Sequence, residues 1–152
     1  MISVVQRVSR AHVEISGDVV GAIGRGLVVL LCAEPHDTER EVQKMLDKLL
    51  KLRIFPDDEG KMNRSIMNLD GCGLVGEMLI VSQFTLVADV WSGNRPGFSG
   101  AASPQLGEAL YEAFVAKAKE SVQVATGRFG ADMQVSLVND GPVTIPIRIE
   151  AA

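Results

Sequence analysis

Apolar and polar positions alternate along the first part of the chain. Val4, Gln6, Val8 and Ser9 give way to His12, Val13, Glu14 and Ile15. A period of two, rich in β-branched residues, predicts a strand. Ser16-Gly17-Asp18 is a turn signal, and Val19 to Ile23 is expected to return as its hairpin partner. After Gly24-Arg25-Gly26, the run Leu27-Val28-Val29-Leu30-Leu31 reads as a fully buried strand. Glu34-Pro35-His36-Asp37 breaks it, and the period changes to three and four. Val42, Met45, Leu46, Leu49, Leu50 and Leu52 form one apolar stripe of a helix, with Glu39, Lys44, Asp47, Lys48 and Lys51 on the wet side. Thr38 and Glu41 have capping-box spacing, where each side chain satisfies an orphan amide of the first turn.

The second half repeats these signals in another order. Phe55-Pro56-Asp57-Asp58-Glu59-Gly60 reads as a loop, and Gly71 and Gly73 bracket Cys72 in a turn. Glu77 to Val81 is a buried strand that ends in Ser82-Gln83-Phe84-Thr85. Residues 88 to 103, rich in Gly, Ser, Asn and Pro, form the longest loop. Ser103 caps a second helix with Pro104 at its first position, and Leu106, Leu110, Ala113, Phe114 and Ala118 are its buried face. Val122 to Val124 and Met133 to Val138 alternate again. Asn139-Asp140-Gly141-Pro142 reads as a sharp turn, and Val143 to Ile149 as a closing strand that Pro146 places at an edge. Strands outnumber the two helices without a regular βαβ alternation, so the class is α+β.

Composition narrows this pattern to one compact soluble chain. At 152 residues, with 47% hydrophobic and 22% charged residues, it is neither disordered nor fibrous. A chain of this size forms a full core without staples. The net charge of −4 argues against coating of nucleic acid, which needs a dense basic surface, but not against reading a small piece of RNA. Cys32 and Cys72 are too few for a disulfide framework and read as free, buried thiols of a reducing cytoplasm. With His12 and His36 they make no C-x-x-C or H-x-x-x-H spacing, so no metal or cofactor is expected. The first residues lack the apolar core of a signal peptide, and the run Leu27 to Ala33 is too short to span a bilayer.

Candidate chemistry reduces to two polar segments. Gly21, Gly24 and Gly26 are out of order for a phosphate loop and precede a strand, so they read as turn glycines. Gly97-Phe98-Ser99-Gly100 misses the serine-hydrolase elbow because Ala stands at 101. His12 and His36 have no compelling partner, so any hydrolysis proceeds without a histidine-driven nucleophile. Ser82-Gln83-Phe84-Thr85 ends an apolar strand, where backbone N–H groups are freed to stabilise an oxyanion; an ordinary polar strand end is equally compatible with these residue types. In Asn139-Asp140-Gly141-Pro142-Val143-Thr144, glycine permits close approach of the backbone to another molecule, although composition alone favours a plain turn.

These segments carry a resemblance that spans essentially the whole chain. Gln6-Arg7-Val8, Arg53-Ile54-Phe55, Gly60-Lys61-Met62-Asn63, Ser82 to Leu86, Arg95-Pro96, Phe98-Ser99 and Ala102-Ser103-Pro104 match the D-aminoacyl-tRNA (D-tyrosyl-tRNA) deacylases in order. Thr126 to Phe129, Ala131-Asp132-Met133 and Asn139 to Thr144 complete the set, while the tail Ile145-Pro146-Ile147-Arg148 differs. The resemblance implies one domain over residues 1–152 with three β/β/α layers, acting as a cytoplasmic homodimer whose active site lies at the subunit interface. It implies hydrolysis of the ester joining a D-amino acid to the terminal adenosine of tRNA. Gly141-Pro142, in the cis form, would enter the partner's site and exclude the side chain of an L-amino acid. Catalysis would fall to Ser82, Gln83, Phe84 and Thr85, with Arg7, Met133, Asn139 and Thr144 in support.

A ribose ester is already activated, so oxyanion donors and a positioned carbonyl suffice. By the same resemblance, the amides around Phe84 and Thr85 would be the donors. The adenosine 2′-hydroxyl is preferred as helper over Thr85, for which no base is visible. A backbone wall cannot reject glycine, so glycyl-tRNA is an expected second substrate. Lys61, Arg64, Arg95 and Arg128 are the candidate RNA contacts. Two other readings stay open: a small-molecule esterase with Thr85 as nucleophile, and a tRNA-end binding module without turnover.

Overall fold

The alternation at the N-terminus extends into one long strand that organises the rest. In a computed structural model, which describes residues 1–152, β1 (Ile2–Ile15) is followed by β2 (Asp18–Ile23), β3 (Gly26–Cys32) and α1 (Glu39–Lys51). Then come β4 (Phe55–Pro56), β5 (Met62–Arg64), β6 (Glu77–Ser82), a 3-10 turn (Phe84–Val87), α2 (Pro104–Ala118), β7 (Gln123–Thr126) and β8 (Gln134–Arg148). The class is α+β, with a six-stranded mixed sheet running β2-β1-β3-β6-β7 and β8 on the free side of β1. β1 is long enough for two partners on one side: β3 pairs with its first half and β2 with its second, both antiparallel. β3–β6 and β6–β7 are parallel, so α1 and α2 serve as crossover helices in the middle of the chain.

Both helices start where expected. Thr38 closes the capping box with Glu41, and Ser103 accepts from the Leu106 N–H with Pro104 at the first position. The stripe of α1 is buried through Val42, Met45, Leu46 and Leu49. α2 buries Leu110, Tyr111, Phe114 and Ala118.

Alternation along β3 and β6 splits the interior in two. Leu27, Val29, Leu31, Met78 and Ile80 pack with the helices, whereas Val28, Leu79 and Val81 join Val8, Ala11, Val13 and Ile23 in a second core on the opposite face. That second core exists because the sheet curls until β2 approaches β7. Gly21 makes the approach possible: a Cβ there would overlap the Thr126 carbonyl.

Five sequence expectations change. Cys32 is buried, but Cys72 is exposed, because its Gly71-Cys72-Gly73 turn lies on the surface. Gly21 and Gly26 are not turn glycines; they sit within strands where neighbouring backbones press close, Gly26 against Glu77. Phe55 to Gly60 is not simply a loop, because Phe55–Pro56 pairs with Met62–Arg64 in a small antiparallel ribbon. The strand before Asn139 and the one after Pro142 are one strand, β8, which follows β1 from Glu14 back to Ile2. The expected turn at Asn139-Asp140-Gly141-Pro142 is a bulge inside it: Gln6 faces Thr144 and Val8 faces Asn139, so four residues bow out opposite Arg7. Turn and bulge demand the same local chemistry, and only pairing with β1 separates them. β8 has no other neighbour, which puts Pro146 on an edge as read.

Candidate active site

β3 and β6 end side by side. Leu31 faces Ser82 in their last pair, the Gln83 N–H donates to the Leu31 carbonyl at 2.8 Å, and the ladder stops. The chain then folds into the 3-10 turn Phe84–Val87, whose first internal bond runs from the Leu86 N–H to the Gln83 carbonyl at 3.3 Å. The N–H groups of Phe84 and Thr85 precede that bond and have no acceptor within the turn.

Beside this strand end lies a cavity of about 400 Å³. Ser82, Gln83 and Phe84 form one side, and Leu31, Cys32 and Met1 the floor. Ala101, Ala102 and Gly107 leave room at the base of α2, which is fastened there by the Ala102 N–H bonded to the Ala33 carbonyl at 2.9 Å. Phe98 meets Phe84 edge-on, with ring centroids 5.0 Å apart, and Tyr111 and Phe129 close the far wall at 6.0 Å from each other. The lining is mainly apolar with a few polar groups at one edge, the usual build of a site for an organic ligand.

The cysteine and the tyrosine here are held neutral, while the Met1 ammonium is taken up by Glu34 and Asp37 at 3.0 and 2.8 Å. Burial pushes the Cys32 thiol up to about 11, with Glu34 adding to the effect, and the thiol points at the carbonyls of Ala33 and Phe84 at 3.5 and 3.6 Å. A protonated thiol is a poor nucleophile. Burial likewise pushes Tyr111 up to about 12, and its hydroxyl donates to the Ile80 carbonyl at 2.9 Å. Thr85 is exposed, and its Oγ1 accepts from Gln83 Nε2 at 2.5 Å. No base stands beside it. His12 lies 3.8 Å from Glu14 on β1, and neither it nor His36 lines the cavity.

The second segment forms a separate constellation. Arg7 is buried, and its Nη1 and Nε donate to the carbonyls of Ile54 and Asp140 at 2.6 and 2.8 Å. Asn139 Oδ1 accepts from the Val143 N–H at 2.8 Å, while its Nδ2 donates to Thr144 Oγ1 at 2.9 Å. Gln6 Nε2 adds a bond to the same Thr144 hydroxyl at 3.3 Å. These bonds hold the bulge and present the Gly141-Pro142 peptide, which is cis, outward and exposed. Gly141 has a φ of +150°, and a Cβ there would stand 2.7 Å from Val143 Cγ2.

The structure therefore gathers Ser82, Gln83, Phe84 and Thr85 in one place and Arg7, Asn139, Gly141, Pro142 and Thr144 in another. Met133 joins neither; it packs under Gly127 and against the second core. Ser82 aligns across β3 and β1 with Ile147 of β8, three strand spacings or about 14 Å away, and Gly141 bows out opposite Arg7, four residues or about 13 Å further along β1 from Ser3. Sequence reasoning missed most of the cavity wall. Met1, Cys32 and Tyr111 come from three distant stretches and carry no local signal, whereas Phe129 stands in the Thr126 to Phe129 motif. Among the candidate RNA contacts, Lys61 and Arg64 are paired with Glu59 and Asp58 at 2.9 and 3.1 Å, whereas Arg95 and Arg128 are exposed without such partners.

The comparisons with known proteins converge. A sequence model of the D-Tyr-tRNA(Tyr) deacylase family matches residues 4–148. A D-aminoacyl-tRNA deacylase of Delftia acidovorans is 61% identical over 153 residues, covering 100% of this chain and 98% of that protein. One of Acidovorax ebreus is 60% identical over 150 residues, covering 98% of each. The solved structure of a c-Myc DNA unwinding element binding protein superimposes with a TM-score of 0.89 at 42% identity, over 99% of this chain and 100% of that one. A probable eukaryotic D-amino acid tRNA deacylase shares the fold, with a TM-score of 0.80 at 19% identity, over 97% of this chain and 98% of that one. With two helices on a curled mixed sheet and relatives of this identity along its whole length, the chain belongs to the D-Tyr-tRNA(Tyr) deacylase family.

Proposed function

We propose that the strand-end cavity is where this chain, a D-aminoacyl-tRNA deacylase and hence a hydrolase, holds the terminal adenosine and its D-aminoacyl ester. We further propose that the site is completed by Gly141-Pro142 of a second copy. One observation carries the second step: within one chain, the bulge and the Ser82–Thr85 segment are some 20 Å apart by strand register, too far to touch the same ester. The bulge is nonetheless exposed and held in place, and β8 is an edge strand with Val135 and Val138 outward. A homodimer sets one copy's bulge against the other's cavity, over the three β/β/α layers of each domain.

The chemistry needs little from side chains. The free N–H groups of Phe84 and Thr85 stabilise the oxyanion as the carbonyl is attacked. The adenosine 2′-hydroxyl, next to the ester oxygen, assists the attacking water. Thr85 is a poor nucleophile here, because its hydroxyl is engaged by Gln83 and has no base. The main chain of Gly141-Pro142 lies against the substrate Cα and collides with an L side chain whatever its identity. Glycine passes that wall, so glycyl-tRNA is hydrolysed as well. Arg7, Asn139 and Thr144 keep the wall in position. The site of action is the cytoplasm, where aminoacyl-tRNA is used.

Deacylation of D- and L-tyrosyl-tRNA, with and without the terminal 2′-hydroxyl, tests this reading. D-tyrosyl-tRNA is cleaved and L-tyrosyl-tRNA spared. Removing the 2′-hydroxyl costs about 100-fold or more, the scale of a lost proton-transfer partner. Equal D and L rates overturn the chiral wall, and full activity on the deoxy substrate overturns the hydroxyl's role.

A further inference from the structure

The loop joining the 3-10 turn to α2 carries a residue that the cavity does not use. Trp91 is the only tryptophan in the chain and is 93% exposed. Val90 beside it is 55% exposed, so the loop presents two adjacent apolar side chains to water. Its loop is not loose. Asp89 and Gly97 exchange N–H···O bonds of 2.8 and 2.9 Å, and the Asp89 carboxylate accepts from the Trp91 N–H at 2.9 Å and the Ser92 hydroxyl at 2.7 Å. The ring is therefore held out from a braced hairpin.

The root of that hairpin is the cavity itself. Gly97 precedes Phe98, which lines the cavity and meets Phe84 edge-on. Counting Cα steps through Asp89 and Gly97 puts Trp91 within about 17 Å of Phe98. A cavity of about 400 Å³ takes one nucleoside with its ester, so the rest of a polynucleotide must leave across this rim. The chain's net charge of −4 gives little phosphate attraction to hold that exit. What remains is stacking, which is indifferent to base identity. Arg95, four positions on, is exposed and free of ion pairs, while the loop's one acid, Asp89, has its carboxylate turned to the loop's own N–H and hydroxyl donors.

We infer that Trp91 is a stacking platform for an unpaired base just upstream of the nucleotide in the cavity, with Arg95 supplying the adjacent cation for its phosphate. This rests on the reading of the cavity as the aminoacyl-ester site. Trp91 acts on positioning, not on the chemistry, so it matters for polynucleotide substrates and little for the bare nucleoside ester.

Wild type, Trp91→Ala and Trp91→Phe are compared on D-tyrosyl-tRNA and on D-tyrosyl-adenosine, which has no upstream nucleotide. Trp91→Ala lowers kcat/KM on the tRNA by about 10- to 100-fold, mostly through KM, which is the scale of one base–aromatic stack. The loss on the adenosine ester is about tenfold smaller, and Trp91→Phe recovers most of the tRNA activity. Because Trp91 is the sole tryptophan, a short RNA strand ending in CCA quenches its emission, and adenosine alone does so far less. Equal losses on both substrates, or no quenching by the strand, overturn the proposal. Smaller particles of Trp91→Ala in sedimentation also overturn it, assigning the ring to contact between copies. If the wild type cleaves neither ester, the reading of the cavity fails first and takes this one with it; if it cleaves both without quenching, only the stacking role is lost.

Discussion

The cavity at the end of β6 and the bulge in β8 are built on opposite principles. The cavity is concave, walled by aromatic and small residues, and complete within one chain except for what enters it. The bulge is convex and exposed at Gly141-Pro142, and is kept in shape by the hydrogen bonds that Arg7 and Asn139 make to Asp140, Val143 and Thr144 and by Val143, which is buried in the main core. Packing lets the first tolerate small changes in shape. The second has one packed anchor, Val143, and its exposed main chain otherwise depends on a few polar ties. Under the proposed function, affinity belongs to the first region and stereochemical fidelity to the second, and the two should fail separately.

The largest effect is expected from Arg7→Ala. It removes two charge-assisted hydrogen bonds to the Ile54 and Asp140 carbonyls and leaves both acceptors buried or half-buried. Stability should fall by about 3 kcal/mol, measured by urea unfolding. The ratio of D- to L-tyrosyl-tRNA hydrolysis should fall with it, and an unchanged ratio would detach the bulge from selectivity. Gly141→Ala comes next. Its φ of +150° suits glycine, and the new methyl meets Val143, so about 1–3 kcal/mol of strain pushes the bulge out of place. Chiral selectivity is again the measurement, and binding of adenosine to the cavity should persist.

Thr85→Ala tests the cavity side with a smaller effect. With the backbone donors retained, deacylation of D-tyrosyl-tRNA should fall by less than about tenfold, well short of losing a covalent nucleophile. A folded but inactive variant would reinstate Thr85 as nucleophile. The smallest effect concerns pH. The Trp91 N–H and the Ser92 hydroxyl hold the Asp89 carboxyl below its ordinary value of 3.8. A depressed carboxylate pKa contributes stability above that ordinary value, and the contribution disappears as pH falls through the lowered one. Emission of the sole tryptophan should therefore be flat from neutral pH down to about 4 and change only below it. A transition nearer neutrality would mean that another group braces the loop.

The two regions also differed in how readable they were. Ser82 to Thr85 could be found because an apolar strand stops there and hydroxyl and amide groups begin, a purely local signal. The helices and their caps were equally local. The bulge was half legible: Asn139, Gly141 and Pro142 announce a departure from regular strand, yet its kind depends on Gln6 and Val8, some 130 residues away in sequence. Gly21 was misread for the same reason, since its neighbour Thr126 belongs to the other end of the curled sheet. The ribbon of β4 and β5 was too short to leave an alternation at all.

The free side of β8 has a further consequence. A 15-residue strand at the margin of a sheet is an invitation to other chains, because unpaired amides and carbonyls template more strand. Here Pro142 and Pro146 have no N–H to offer, and the bulge between Asn139 and Thr144 bends the line that an incoming strand would have to follow. The same irregularity that is proposed to aim a peptide at a substrate thus protects the molecule against fibrous growth. Straightening β8 by replacing these residues would trade a selective enzyme for a sticky one.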